Sequence, residues 1–184
     1  DKQHKLNAAV AQSQDVSHNL TALLDWTEQT ENVFNDMKPV SLDRDNLNDQ
    51  IQSHRLISSD IENHRHQVDA VVEQCNQNGQ NEGVSELLDR FDALIGRSED
   101  RGSELDEVVQ KLGTLHGNVH QLESWLGGAV HSLKRESTDF DHSSLKAKIE
   151  NLYRQKQGKQ KDLDQIKSIG KDLIDAPHTG DKHR

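Results

Sequence analysis

The chain has 184 residues, 22 Lys+Arg against 32 Asp+Glu, a formal net charge of −10, 31% hydrophobic and 3% aromatic residues, and a mean hydropathy of −0.93. So little apolar surface excludes a compact enzyme-like globule, and the acidic balance excludes nucleic acid as the main partner, since phosphate binding needs a basic footprint. No apolar run is long enough to span a bilayer and no hydrophobic signal segment opens the chain, so membrane insertion is not expected.

What remains is an elongated all-α protein, in which each helix needs only a narrow apolar stripe. The chain starts at Asp1 without a Met, which is read as a fragment of something longer. The single Cys75 fits a reducing, cytoplasmic setting without a disulfide framework.

The first predicted helix carries Val16, Leu20, Leu23, Thr27, Thr30, Phe34 and Met37 at steps of four and three. Pro39 stops it, and Ser41 to Asp43 offers an N-cap for the second helix. In that second helix the same stepping gives Leu47, Ile51, His54, Ser58, Ile61, Arg65, Val68, Val72 and Cys75. The segment from Asn76 to Gly83 reads as a turn. A third stripe follows through Val84, Leu88, Phe91, Ile95, Ser98, Gly102, Leu105, Val109 and Leu112. A sustained 3.5-residue period predicts helices packed at small crossing angles, and short connections make them antiparallel neighbours.

The pattern then recurs. Adding 99 to the first stripe gives Leu115, Val119, Leu122, Leu126, Ala129, Leu133 and Glu136, and carries Trp26 onto Trp125. Adding 98 to the second gives Leu145, Ile149, Leu152, Lys156, Lys159, Leu163, Ile166, Gly170 and Leu173, the offset falling by one with a shorter loop after Glu136. Matching register over two helices is an internal repeat. No Pro or turn cluster lies between Leu112 and Leu115, so the third helix is expected to run on, past Gly113 and Gly117, as the first helix of the next unit. The stripe after Leu145 has no third helix to cover it before the chain reaches Pro177 and ends at Arg184. The expected architecture is two tandem antiparallel three-helix bundles sharing one continuous helix: a complete repeat over 1–114 and an incomplete one over 115–184.

Three helices per unit, a period near 100 residues, a shared helix and a Trp midway along each first helix resemble the spectrin repeat. The period is shorter than usual, and the third-helix tryptophan of many spectrins is replaced by Phe91 as the nearest aromatic. Within that family the rods of spectraplakins look most similar. The loop Met37-Lys38-Pro39-Val40-Ser41-Leu42-Asp43 and the segment from His64 to Val71 carry that likeness, although dystrophin and nesprin rods share the architecture. The resemblance implies core positions for Trp26 and Trp125. It also implies a segment of a cytoskeletal linker joining actin, microtubules and adhesion or nuclear structures.

Candidate sites are few. His116 and His120 stand at i and i+4, a zinc-compatible spacing, but apart from Glu123 on an adjacent position no third ligand follows one turn on, so no metal is expected. No Gly-rich phosphate loop, G-x-S-x-G or H-E-x-x-H occurs, and neither catalysis nor a cofactor is expected. Cys75 sits on the stripe and reads as a buried, inert thiol. The structural core is expected at Leu20, Leu23, Trp26, Ile51, Ile61, Val68, Phe91, Leu105 and Trp125.

Charge is uneven. Residues 118–184 hold 12 Lys+Arg and 10 Asp+Glu, whereas residues 1–117 hold 10 and 22. Arg154, Lys156, Lys159 and Lys161 are therefore a candidate partner-binding face for an acidic surface, weighed against a solvated helix face. Three readings follow: a structural spacer with cytoskeletal partners bound by the parent protein, a docking module using that basic face or the uncovered stripe, and self-association through the incomplete repeat.

Overall fold

The computed structural model describes residues 2–79, 82–136 and 142–175. It contains four helices: α1 (Lys2–Asn35), α2 (Arg44–Asn78), α3 (Val84–Glu136) and α4 (His142–Asp175). No strand occurs among the described residues, so the chain is all-α. The helices form two compact units, the first ending at Leu105 and the second starting at Asp106, so the division falls inside α3. The predicted loop after Glu136 and the tail around Pro177 lie outside the described residues.

Local chemistry explains the ends. Asp43 takes the extended conformation of an N-cap, and its Oδ1 accepts from the Asn46 N–H at 3.0 Å. Gly79 closes α2 at φ +68°, a left-handed geometry that would strain a residue with a Cβ. Helix α2 thus persists through Asn78, three residues into the segment read as a turn. Between α1 and α2, Gln50 holds the Pro39 loop from both sides. Its Nε2 donates to the Pro39 carbonyl and its Oε1 accepts from the Ser41 N–H, each at 2.8 Å.

In the first unit α1, α2 and the N-terminal part of α3 share one core. Val16, Leu20, Leu23, Thr27, Thr30 and Phe34 of α1 are all buried, with Met37 half-buried against them. The buried Thr27 and Thr30 hydroxyls donate to the Leu24 and Trp26 carbonyls, so neither is left unsatisfied. Leu47, Ile61, Val68, Val71 and Cys75 are the buried residues of α2, with Ile51 half-buried. Burial raises the Cys75 thiol pKa, which keeps it protonated.

Helix α3 departs from the expected stripe. Leu88 and Val109 are exposed, whereas Leu87 and Leu94 are fully buried between Val84, Phe91 and Leu105. The stepping begins with three rather than four, because the doublets Leu87-Leu88 and Leu94-Ile95 admit either register from sequence. Packing against two neighbours at once selects the inner member of the first doublet and leaves Ile95 half-buried.

In the second unit the C-terminal part of α3 pairs with α4. Lys111 lies within electrostatic reach of Asp172 and Trp125 bonds to Gln155, so the two run antiparallel. Leu173 is buried, whereas Leu145, Leu152, Leu163 and Ile166 of the α4 stripe are half-buried. Leu126, Leu133 and Ile149 are exposed. Helix α3 itself passes Gly113 and Gly117 without leaving the helical conformation.

The two registers for α3 are separable by experiment. Leu94→Ala is expected to cost about 2–5 kcal/mol in urea-induced unfolding, whereas Leu88→Ala is expected within about 0.5 kcal/mol of wild type. Equal losses would contradict the core assigned to this helix.

Candidate functional site

The side chains with the most specific geometry are those that lock helices to one another. Trp26 on α1 is half-buried, with its indole stacked on the His64 ring at 3.9 Å and 13° and tilted toward Phe91 at 6.1 Å. Its Nε1 donates to Asp60 Oδ2 at 3.0 Å, so one side chain ties α1 to α2 by a hydrogen bond and to α3 by ring contact. His64 Nδ1 lies 2.9 Å from the Asp60 carbonyl oxygen, which only accepts, so that nitrogen carries the proton. Trp26 is therefore an amphipathic clamp at the core's edge and not a fully enclosed anchor.

Trp125 behaves alike in the second unit. It is half-buried, and its Nε1 donates to Gln155 Oε1 on α4 at 2.8 Å. Each tryptophan thus reaches across to the helix antiparallel to its own.

Three arginines on α3, which the sequence reading passed over, hold α1 and the loop after it. Arg90 grips Glu31 with two parallel bonds, Nε to Oε1 at 3.0 Å and Nη2 to Oε2 at 2.7 Å. The guanidinium hydrogen bonds lower the Glu31 carboxyl pKa. Arg97 lies 5.1 Å over the Phe34 ring and donates to Asn35 Oδ1 at 2.9 Å. Arg101 donates to the Lys38 carbonyl at 2.8 Å and to Glu104 at 3.3 Å. Spacings of seven and four place all three on one flank of α3, which is the signal that could have found them.

A polar layer joins α2 to α3. The Ser98 carbonyl accepts from His54 Nε2 at 2.8 Å, and the Ser58 and Ser98 hydroxyls are 2.8 Å apart. Gly102 makes room for the imidazole, since a Cβ there would sit 3.1 Å from His54 Cε1. His54 is thus a satisfied stripe histidine. A cavity of about 480 Å³ opens beside this layer, lined by Met37, Pro39, Gln50, His54 and Arg101 among others. Arg101 and Gln50 already serve the loop, so they are not available to hold a ligand there.

The basic candidates do not form one patch. Arg154 and Lys161, seven residues apart, share one face of α4, while Lys156 and Lys159 lie on another. Lys159 is half-buried and paired with Asp162 at 2.8 Å, whereas Arg154, Lys156 and Lys161 are exposed. Among the described residues, no group of three His, Cys, Asp or Glu is placed to hold a metal, His116 and His120 included.

Comparison with known proteins identifies relatives over most of the chain. The chain is similar to microtubule-actin cross-linking factor 1. The rat protein is 24% identical over 179 residues, covering 84% of this chain and 3% of the relative. Human isoforms 6/7 are 25% identical over 174 residues, covering 81% of this chain and 5% of theirs. Mouse isoforms 1/2/3/4 are 25% identical over 161 residues, covering 79% and 2%. The chain therefore spans a few per cent of the length of the relatives it matches. No family model and no solved structure matches it.

The Arg90–Glu31 grip predicts a pH dependence. A depressed folded-state pKa means that the pair's contribution is present above the ordinary Glu pKa of about 4.3 and fades as pH falls through the lower folded value. Glu31→Gln is expected to lower stability by about 1 kcal/mol near pH 7 and to converge on wild type once the pH has fallen below the lowered folded-state value, as read by thermal unfolding. A penalty that persists unchanged at low pH would contradict this role.

Proposed function

We propose that this chain is a rod segment of a large cytoskeletal linker, with no catalytic role. In this reading residues 1–114 form one spectrin-like repeat and residues 115–184 supply the first two helices of a second. The observation that carries the proposal is the unbroken helix α3 from Val84 to Glu136, which in this reading is the third helix of one repeat and the first helix of the next. Supporting it are the 99-residue recurrence and the two tryptophans that each bond to an antiparallel neighbour. The coverage of most of this chain by a spectraplakin relative points the same way.

The proposed mechanism is additive. Each unit contributes length, a shared helix carries orientation from unit to unit, and stability resides in nearest-neighbour interfaces. The relatives' name couples microtubules to actin. For this chain, cytoskeletal partners of that kind are proposed to be engaged by other parts of a longer protein, in the cytoplasm.

Small-angle scattering tests the spacer directly. A compact domain of 184 residues has a radius of gyration of about 16 Å. A value well above that, with the pair-distance profile of a rod, is expected, and a globular profile would contradict the proposal.

A further inference from the structure

The turn that closes α2 carries chemistry that its capping role leaves unused. Asn78 is the last residue of α2 and Gly79 its left-handed cap, and together they form the one Asn-Gly pair in the sequence. In such a pair the following backbone nitrogen reaches the side-chain amide carbon with least hindrance, because glycine has no Cβ to shield it. Other asparagines are followed by bulkier residues. Asp36 follows Asn35, whose Oδ1 also accepts from Arg97, and Val119 follows Asn118, whose Nδ2 is buried.

The local structure leaves the pair open. Asn78 and Gly79 are both exposed, and no hydrogen bond to the described residues holds the Asn78 amide. The cap alone restrains the Gly79 nitrogen. Its N–H donates to the Cys75 and Asn76 carbonyls, the latter at 3.3 Å, longer than the usual value of about 2.9–3.0 Å. Helix α2 ends here, so the rotation that brings nitrogen and amide carbon together disturbs these cap bonds and not a helix interior. The far side of the turn is pinned. The Gly83 carbonyl accepts from the Leu87 N–H at 2.9 Å, and a Cβ on Gly83 would lie 3.4 Å from Leu20 Cδ2. A change of backbone length at residue 78 is therefore taken up at the end of α2.

We propose that Asn78–Gly79 is a site of spontaneous deamidation and isoaspartate formation, which loosens the last turn of α2 and uncovers Cys75. The Gly79 nitrogen gives up its proton to hydroxide and bonds to Asn78 Cγ. The Cγ–Nδ2 bond breaks, and ammonia leaves with a proton taken from water. The resulting five-membered imide has no N–H at residue 79, so both cap bonds are lost. Water then opens the ring. Addition at the side-chain carbonyl gives an aspartate on the ordinary backbone, whereas addition at the main-chain carbonyl gives an isoaspartate, whose backbone runs through Cγ and is one carbon longer. Either product places a new carboxylate at the negative end of the α2 dipole. Cys75, fully buried and bonded through its carbonyl to the Gly79 N–H, lies in the turn that these changes weaken.

Incubation of the full chain in mildly alkaline buffer, sampled over weeks, tests both parts. Peptide mass spectrometry is expected to find amide replaced by carboxylate first at Asn78, with isoaspartate the major product. Asn78→Gln changes an exposed side chain and would need a six-membered ring, so it is expected to stay unmodified there, with unchanged helical circular dichroism. Cys75 of aged wild type is expected to react several-fold faster with an aromatic disulfide reagent than that of fresh protein, while aged Asn78→Gln keeps the fresh rate. The proposal is overturned if the folded chain keeps Asn78 intact after a urea-unfolded sample has converted, or if other asparagines convert first. It is equally overturned if the thiol reacts alike in fresh and aged wild type, or alike in aged wild type and aged variant.

Discussion

A chain with this little apolar area can cover a stripe but not a sphere. Every other feature follows from that restriction. A helix with one apolar seam loses more in conformational entropy than it gains until a neighbour covers the seam. The first unit meets the condition with three helices around Leu87, Leu94, Leu105 and Val68, all almost fully removed from water. The seam is so narrow that its edges have to be sealed by amphipathic side chains. Trp26, Arg90, Arg97 and Arg101 do this, each with an apolar or planar body against the core and a polar end bonded to a neighbouring helix or loop. Removing such a group leaves both an unsatisfied partner and an opened seam.

The polar layer at His54, Ser58 and Ser98 shows the same economy at mid-height. A hydrophobic trio there would add burial, but the sequence places groups that satisfy one another and a glycine that admits the ring. Such a layer penalises sliding of α2 along α3, because a shift of one turn would separate His54 from the Ser98 carbonyl and strand both. Register in a long seam of similar residues needs markers of this sort.

Much of the architecture was legible in the sequence, for a physical reason. The seven-residue period is a direct consequence of side-by-side helices, so α1's buried set from Val16 to Phe34 could be read off in full, and the N-cap could be narrowed to Ser41–Asp43, of which the fold uses Asp43. The doublet Leu87-Leu88 could not be resolved, because choosing between adjacent leucines depends on where two neighbouring helices lie and not on period. Trp26 and Trp125 were recognisable by their equal offset, but their half-burial depends on the partners Asp60 and Gln155, which no pattern in the two first helices encodes. The four basic residues from Arg154 to Lys161 look like one cluster in a linear string, yet helical geometry divides them between faces. The arginine flank of α3 was missed because attention to apolar positions alone leaves the e and g positions unread.

The account depends most on α3 being one helix, buried by one set of neighbours before Leu105 and by another after it. Native-state amide hydrogen exchange along residues 84–136 measures this residue by residue. The slowest amides are expected between Leu87 and Leu105, with protection continuing above random-coil levels through Gly113 and Gly117. A run of unprotected amides between Leu112 and Asn118 would mean that the helix breaks there, and the account would fail.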